Sequence, residues 1–315
     1  MKDGFGREIT YLRLSVTDGC NLRCRYCMPE AGICKEQHGE MLTEDEMVAA
    51  VEAAASLGVT KLRITGGEPL VKENIVSICR RCAAVPGIRE VCLTTNGLLL
   101  PELAAPLREA GVRRINMSLD TLDAEKYAAM TRVGNLSDAL RGLEAALSAG
   151  FDKVKINAVL IGGFNDDEIP ALAELTLRHP VDVRFIELMP MVDGAFDSRA
   201  FLPCGAVLAR LPELAPIGGD GTAKLYRIPG AKGNVGLISP LSDCFCRRCN
   251  RLRLTADGKL RPCLHSGLEL SIKGLDRAGM AEQFIRAIQM KPEHRGHLSH
   301  AKPSPAGRAM NRIGG

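Results

Sequence analysis

From residue 10 to about 190 the chain alternates short β-type runs with longer stretches of helical periodicity. Six runs have strand character: Tyr11 to Val16, Lys61 to Thr65, Glu90 to Thr95, Arg114 to Leu119, Val154 to Ile161 and Val181 to Leu188. After the first, Met47, Val48, Val51, Ala54, Ala55 and Leu57 recur at helical spacing behind a Thr43/Glu46 capping pair, and Gly58 ends the helix. Such alternation predicts parallel β/α units. Six units are too few to close an eight-stranded barrel, so the pattern predicts a partial (β/α)6 barrel, with a doubly wound sheet as the competitor. In both, ligands gather at the carboxyl ends of the strands.

After Met189 the pattern changes. Residues 190–235 mix Pro and Gly with short apolar runs; from Asn234 small strands, a cysteine group and one amphipathic helix, Asp276 to Met290, follow. These predict a smaller domain, 201–315, across the open side of a barrel formed by 1–200. The last stretch, Lys291 to Gly315, is rich in His, Pro, Gly and Arg and reads on composition as a disordered tail.

Within the strands the cations have a period of two. Arg13 alternates with Leu12 and Leu14, Lys61 and Arg63 with Leu62 and Ile64, and Arg251 and Arg253 with Leu252 and Leu254. If the apolar face meets the helices, the cations point into the cavity, and buried like charges there require an anion. The competing interpretation is a rim position with a solvated charged head. The net charge of +4, the absence of Trp and few other aromatics give no base-stacking platform for nucleic acid. No apolar run suits a signal peptide or a membrane span, so a soluble, cytoplasmic protein is expected. Twelve cysteines in that setting point to a reducing compartment and thiols free to bind metal.

Cys20, Cys24 and Cys27 are separated by three and then two residues. A cubane 4Fe-4S cluster takes four ligands, so a compact trio leaves one iron open for chemistry; a structural zinc would need a fourth ligand, for which Cys34 is the nearby candidate. Gly66 and Gly67, followed by Glu68 and Pro69, come directly after the second run and would let the backbone approach a ligand, or form a plain strand-to-helix turn. Cys246, Cys249 and Cys263 form a second group. With Cys244 it has four thiols, and a zinc ribbon and an iron-sulfur cluster fit it equally well.

The cysteine trio with Tyr26 before its third member resembles the radical S-adenosylmethionine superfamily. Five further stretches and the terminal Gly-Gly narrow the resemblance, from Arg13 to the end, to the GTP 3′,8-cyclase family of molybdenum cofactor biosynthesis. They are Leu-Arg-Leu-Ser-Val-Thr-Asp before Cys20, Arg-Ile-Thr-Gly-Gly-Glu-Pro-Leu at 63–70, Thr-Thr-Asn-Gly at 94–97, Asn-Met-Ser-Leu-Asp at 116–120 and Cys-Asn-Arg-Leu-Arg-Leu-Thr at 249–255. The resemblance decides for the partial barrel. It implies a first 4Fe-4S cluster on Cys20, Cys24 and Cys27, S-adenosylmethionine on its open iron, and Tyr26, Gly67, Ser118 and Met189 lining that cofactor. It implies a second 4Fe-4S cluster on Cys246, Cys249 and Cys263, its open iron facing the substrate base, with Cys244 an additional thiol.

GTP binding carries over to Arg13, Arg63, Thr94, Lys155, Arg251, Leu252 and Arg253; Lys61 and Arg184 are weaker candidates by strand position. Arg13, Arg251, Arg253, Gly314 and Gly315 are the catalytic candidates, the terminal glycines reaching into the active site. The implied reaction begins with one-electron cleavage of S-adenosylmethionine. Hydrogen is then abstracted from the ribose 3′ carbon, that carbon attacks guanine carbon 8, and reduction gives 3′,8-cyclo-7,8-dihydro-GTP. An external one-electron donor, the next enzyme of the molybdopterin pathway and a homodimer partner are the expected associates. A radical peptide maturase and a non-catalytic zinc protein binding RNA are the alternatives.

Overall fold

The computed structural model describes all residues except 33–39, 192–197, 297, 300–303 and 315, so Cys34 and Gly315 lie outside the described residues. Six β/α units follow one another: β1 (Tyr11–Ser15) and α1 (Glu44–Ser56), β2 (Lys61–Thr65) and α2 (Ile75–Ala83), β3 (Glu90–Thr95) and α3 (Leu100–Glu109), β4 (Val112–Ser118) and the pair α4 (Ala124–Thr131) and α5 (Leu136–Ser148), β5 (Lys153–Leu160) and α6 (Ile169–Arg178), β6 (Val181–Glu187) and α7 (Gly205–Arg210). β1 to β6 are parallel neighbours in chain order. This is the partial barrel expected from the sequence; the fourth strand starts earlier, at Val112.

The capping pair of α1 forms as predicted: the Glu46 N–H donates to Thr43 Oγ1 at 3.2 Å, and the Thr43 N–H donates to Glu46 Oε2 at 2.8 Å. Met47, Val48, Ala50, Val51, Ala53 and Ala54 form its buried face. They join a core continuous with Leu12, Leu14, Leu62 and Ile64 beneath the sheet, and each large apolar side chain there contributes roughly 1.5–3 kcal/mol.

The chain beyond residue 200 does more than lie across the opening, because its strands lengthen the same sheet on both sides. β9 (Val235–Ile238) pairs parallel with β6, and β10 (Arg251–Leu254) pairs parallel with β1. Outside β9 come β8 (Ala223–Arg227) and β7 (Ala215–Asp220), both antiparallel to their neighbours; outside β10 come β11 (Lys259–Arg261) and β12 (Leu270–Ser271). The twelve-stranded order is β12-β11-β10-β1-β2-β3-β4-β5-β6-β9-β8-β7. Eight consecutive strands are therefore parallel, yet β9 and β10 do not pair with each other, and the barrel stays open. Residues 239–250, which carry Cys244, Cys246 and Cys249, cross from one edge to the other.

α8 (Arg277–Gln289) packs on α1, with Asp276 as its N-cap, accepting from Gly279 N at 2.8 Å. The disordered-tail expectation fails for the described part of the last stretch. Lys291, Ser304, Ala306, Ala309, Asn311 and Ile313 are buried, and α9 (Met310–Ile313) forms a helical turn. Composition misled here because few residues make the anchorage: Ala306 and Ile313 pack with Met191, Met189, Leu264 and Met310, and Arg261 donates to the Ala306 carbonyl at 2.8 Å.

Candidate active site

The period of two in the cations becomes rows across the sheet. Register places Arg253 opposite Arg13 and Arg13 opposite Arg63, with Leu252, Leu12 and Leu62 in the adjoining row, turned into the core. Leu252 is wholly buried there, so any contact it makes in the cavity comes from its main chain. A second row runs Thr94, Asn116, Lys155, Asp182 across β3 to β6. Arg63, Lys155, Arg184 and Arg253 are buried, which excludes the solvated-rim interpretation for them.

The arginines find mostly neutral partners. Arg63 Nε donates to the Tyr11 hydroxyl and its Nη1 to Thr94 Oγ1 at 3.3 Å; Arg63, Arg251 and Lys61 lie 5.8, 5.3 and 5.4 Å from the Tyr11 ring centroid. Lys61 also pairs with Glu90 at 2.9 Å. Burial and the neighbouring Arg251 bring Arg253 down to about 10, and burial with Arg253 lowers Arg13 well below its ordinary value. Burial alone would raise Tyr11, but Arg63, Arg13 and Arg251 outweigh it and bring the phenol down to about 8. Arg63 is instead raised, because Tyr11 outweighs its burial, whereas Arg13 and Arg253, lowered by burial and by neighbouring arginines, favour an anion beside them.

Cys20, Cys24 and Cys27 follow β1 at its carboxyl end. Burial, with each thiol opposing ionisation of the next, pushes Cys24 well up; burial holds Cys20 at about 11 and Cys27 at about 12. The loop is fastened by two buried carboxylates. Asp120 accepts from the Tyr26 hydroxyl at 2.9 Å and from Val159 N at 2.8 Å, and burial raises it to about 6. Glu68 accepts from Leu70 N, Thr95 Oγ1 and Asn96 N at 3.0, 2.7 and 2.7 Å, and burial raises it to about 7; Asn96 in turn donates to Asn21 at 2.7 Å.

Gly66 and Gly67 pack closely against main chain. A Cβ on Gly67 would fall 2.4 Å from the Asp18 and Gly19 carbonyl oxygens, and one on Gly66 2.7 Å from the Thr17 oxygen. They admit the chain leading to Cys20, with Gly67 N donating to Thr17 O at 2.7 Å. Ser118 ends β4 at the same end of the barrel, and Met189 follows β6, against the packed tail.

In the second triad Cys246 and Cys249 lie just before β10, and Cys263 just after β11. Glu187, at the end of β6, accepts from Cys204 N at 3.1 Å, Leu241 N at 2.9 Å and Ser242 N at 3.0 Å, holding the lead into Cys244. Lys291 donates to the carbonyls of Arg251 at 2.7 Å and Pro262 at 2.8 Å and to the Cys249 sulfur. Burial opposes ionisation of Cys249, but Lys291 and Arg251 bring it below the ordinary thiol value. Cys244 is exposed and hydrogen-bonded to Cys246. Every described cysteine is a free thiol. A cubane spreads three thiolates over three irons, whereas a structural zinc gathers four ligands on one ion. Two separate trios of soft thiolates at strand ends fit two such clusters.

The tail joins the two ends of the cavity. Arg253 Nη1 donates to the Gly314 carbonyl at 2.9 Å and Arg13 Nη2 to the same oxygen at 3.4 Å. Three residues earlier the Asn311 N–H donates to the Cys27 sulfur, and its Nδ2 to Asp18 O at 3.2 Å. Gly314 has φ +85, and a Cβ there would lie 2.7 Å from Thr65 Oγ1, so glycine is required by conformation and by space.

Sequence reasoning missed Tyr11, Glu187, Lys291, Asn311 and the residues Asp220 and Thr222. Asp220 accepts from Lys155 at 2.5 Å and Arg184 at 2.7 Å, and Thr222 from Arg251 at 3.1 Å. The only signal for the last two was a Gly-Asp-Gly turn, which marks a hairpin and not its target.

Three thiolates at the mouth of a six-unit parallel barrel define a class, and residues 14–176 match the Radical SAM superfamily. Residues 181–297 match Molybdenum Cofactor Synthesis C. The chain is 46% identical over 327 residues to a GTP 3′,8-cyclase of Moorella thermoacetica and 48% identical over 328 residues to one of Pelotomaculum thermopropionicum, with 100% of each chain covered in both cases. The chain belongs to the GTP 3′,8-cyclase family of the radical SAM superfamily. Its fold is similar to that of Streptococcus suis SuiB, with a TM-score of 0.63 at 15% identity over 92% of this chain and 67% of that one, and to the same protein bound to S-adenosylmethionine, with a TM-score of 0.61 at 15% identity over 86% and 62%.

Proposed function

We propose that this protein is a radical S-adenosylmethionine lyase that cyclises GTP to 3′,8-cyclo-7,8-dihydro-GTP in molybdenum cofactor biosynthesis. The observation that carries the assignment of residues is the in-register row Arg253, Arg13, Arg63, set between two cysteine trios and reached by the tail. Cys20, Cys24 and Cys27 would hold the first 4Fe-4S cluster, and Cys246, Cys249 and Cys263 the second. When bound, the first cluster and S-adenosylmethionine supply the electron transfer and the hydrogen-abstracting radical. The chain's own residues position and shield. Tyr26, Gly67, Ser118 and Met189 line the cofactor; Lys155, Arg63 and Thr94 bind the nucleotide, with Arg184 beside them. Arg13, Arg251 and Arg253 orient it, and Gly314 and Gly315 complete the arginine cluster.

An external one-electron donor is required, and a following enzyme of the same pathway accepts the product. Residues 1–200 serve as the radical S-adenosylmethionine barrel and 201–315 as the domain of the second cluster and the Gly-Gly tail of a cytoplasmic enzyme, with a second copy of the chain as a candidate partner. Among the described residues no helix is long and apolar enough to cross a membrane. The test is anaerobic incubation with GTP, S-adenosylmethionine and a reductant, followed by chromatography and mass analysis. A nucleotide with the mass of GTP but a different retention, formed together with 5′-deoxyadenosine, is expected; 5′-deoxyadenosine with unaltered GTP would refute the cyclase assignment.

A further inference from the structure

Lys155 and Arg184 are buried cations on neighbouring strands, and both donate to one oxygen of Asp220, at 2.5 and 2.7 Å. The lysine and arginine side chains are only 8% and 5% exposed, whereas that of Asp220 is 44% exposed. The carboxylate therefore caps the pair from outside. Asp182 also faces Arg184, with its Oδ2 at the longer distance of 3.4 Å, while its Oδ1 accepts from Asn234 and pairs with Lys153. Arg184 lies across Gly236, where a Cβ would come within 2.4 Å of its Cδ. Its Nε is buried without a hydrogen-bond partner, so the guanidinium keeps donor capacity that Asp220 does not use.

Asp220 is also carried by a segment suited to movement. It ends β7, an exposed edge strand of sequence Ala-Pro-Ile-Gly-Gly-Asp, and the two-residue turn Gly221-Thr222 follows, with Gly218 and Gly221 at φ +119 and +63. The register of the hairpin slips between Pro216 and Gly218. On the same turn Thr222 meets Arg251. One hairpin tip thus covers three cations to which the nucleotide is assigned above.

We propose that Asp220 is a specificity-determining residue that stands in for a phosphate. In the nucleotide-free enzyme its carboxylate neutralises Lys155 and Arg184, and a polyphosphate binds by exchanging with it. A triphosphate brings more charge and more acceptor oxygens than one carboxylate, including one for Arg184 Nε, so the exchange is favourable. A neutral nucleoside brings neither and leaves Asp220 in place. Selection for a highly charged nucleotide then comes from an internal competitor as well as from the attraction of the cradle.

The inference rests on Lys155 being a phosphate ligand, and the experiment separates the two. Cluster-loaded full-length enzyme and its Asp220→Asn, Asp220→Glu and Lys155→Ala variants are titrated anaerobically with GTP, guanosine and inorganic tripolyphosphate. Asp220→Asn should bind GTP and tripolyphosphate about tenfold more tightly with guanosine unchanged, and Asp220→Glu should behave as wild type. Unchanged or weaker binding of GTP by Asp220→Asn, while Lys155→Ala binds it poorly, overturns the competitor role alone. Wild-type GTP affinity in Lys155→Ala overturns the cradle assignment and the competitor with it.

Discussion

The thiols of the first triad are all raised, by burial and, for Cys24 and Cys27, by neighbouring thiols, with Glu68 and Asp120 adding to it and the cation Arg23 opposing it at Cys20. The second triad is divided: Cys246 is raised by burial, Cys244 and Cys263, while at Cys249 the cations Lys291 and Arg251 prevail over burial and bring the thiol below its ordinary value. The difference suits the assignment proposed above, in which S-adenosylmethionine, with its sulfonium cation, lies by the first triad and the polyanion GTP beside Arg13, Arg251 and Arg253.

The largest effect should come from breaking one end and leaving the other. Cys24→Ala should abolish cleavage of S-adenosylmethionine and remove about half the iron, while the second cluster keeps its electron paramagnetic resonance signal. Cys263→Ala should do the reverse, keeping cleavage and losing cyclisation; loss of all iron in either variant would mean that the two ends are not independent. Next, Arg253→Ala should weaken GTP by about a hundredfold, because a buried charge-assisted contact and the anchor of Gly314 are lost together, while guanosine changes only a fewfold. Equal weakening of both would place Arg253 away from the phosphates.

Lys291→Met tests the basic end more gently. It should retain iron, shift the second cluster to a lower reduction potential through loss of a nearby positive charge, and slow cyclisation by about tenfold. An unmoved potential would reduce Lys291 to a brace for the Arg251 and Pro262 carbonyls. At the acidic end the test is pH. Burial holds Glu68 at about 7 against an ordinary 4.5, so between these values the unfolded chain gives up a proton that the folded one keeps. Stability should therefore fall as pH rises through that window, by up to roughly 3 kcal/mol, and Glu68→Gln should flatten the slope in denaturant titrations. The smallest effect belongs to Cys244→Ser, which should leave iron content unchanged; lost iron would make this exposed thiol a ligand.

Much of this polarity was visible in the sequence on the basic side. Arg13, Arg63 and Arg253 alternate with leucine or isoleucine, and a period of two puts them on one face of the strand; burial then separates a cavity position from a solvated rim for Arg63 and Arg253. The acidic side was hidden. Glu68 and Glu187 work by accepting from main-chain N–H groups, which leaves no pattern in residue type, and some of those donors are more than fifty residues away. Lys291 and Asn311 were hidden differently, since their neighbours Pro, Gly, Arg and His suggest no element and their burial depends on surfaces built elsewhere. Gly66 and Gly67 were noticed, but local sequence could not show that the Thr17 to Gly19 chain packs against them.

The order of the sheet has a consequence for the nascent chain. When the six β/α units have left the ribosome, both β1 and β6 still present unpaired parallel edges, because their partners β10 and β9 come later. Open edges of this kind recruit other chains, so the partly made protein is exposed to aggregation until the cysteine-bearing crossing at 239–250 and the two strands flanking it arrive.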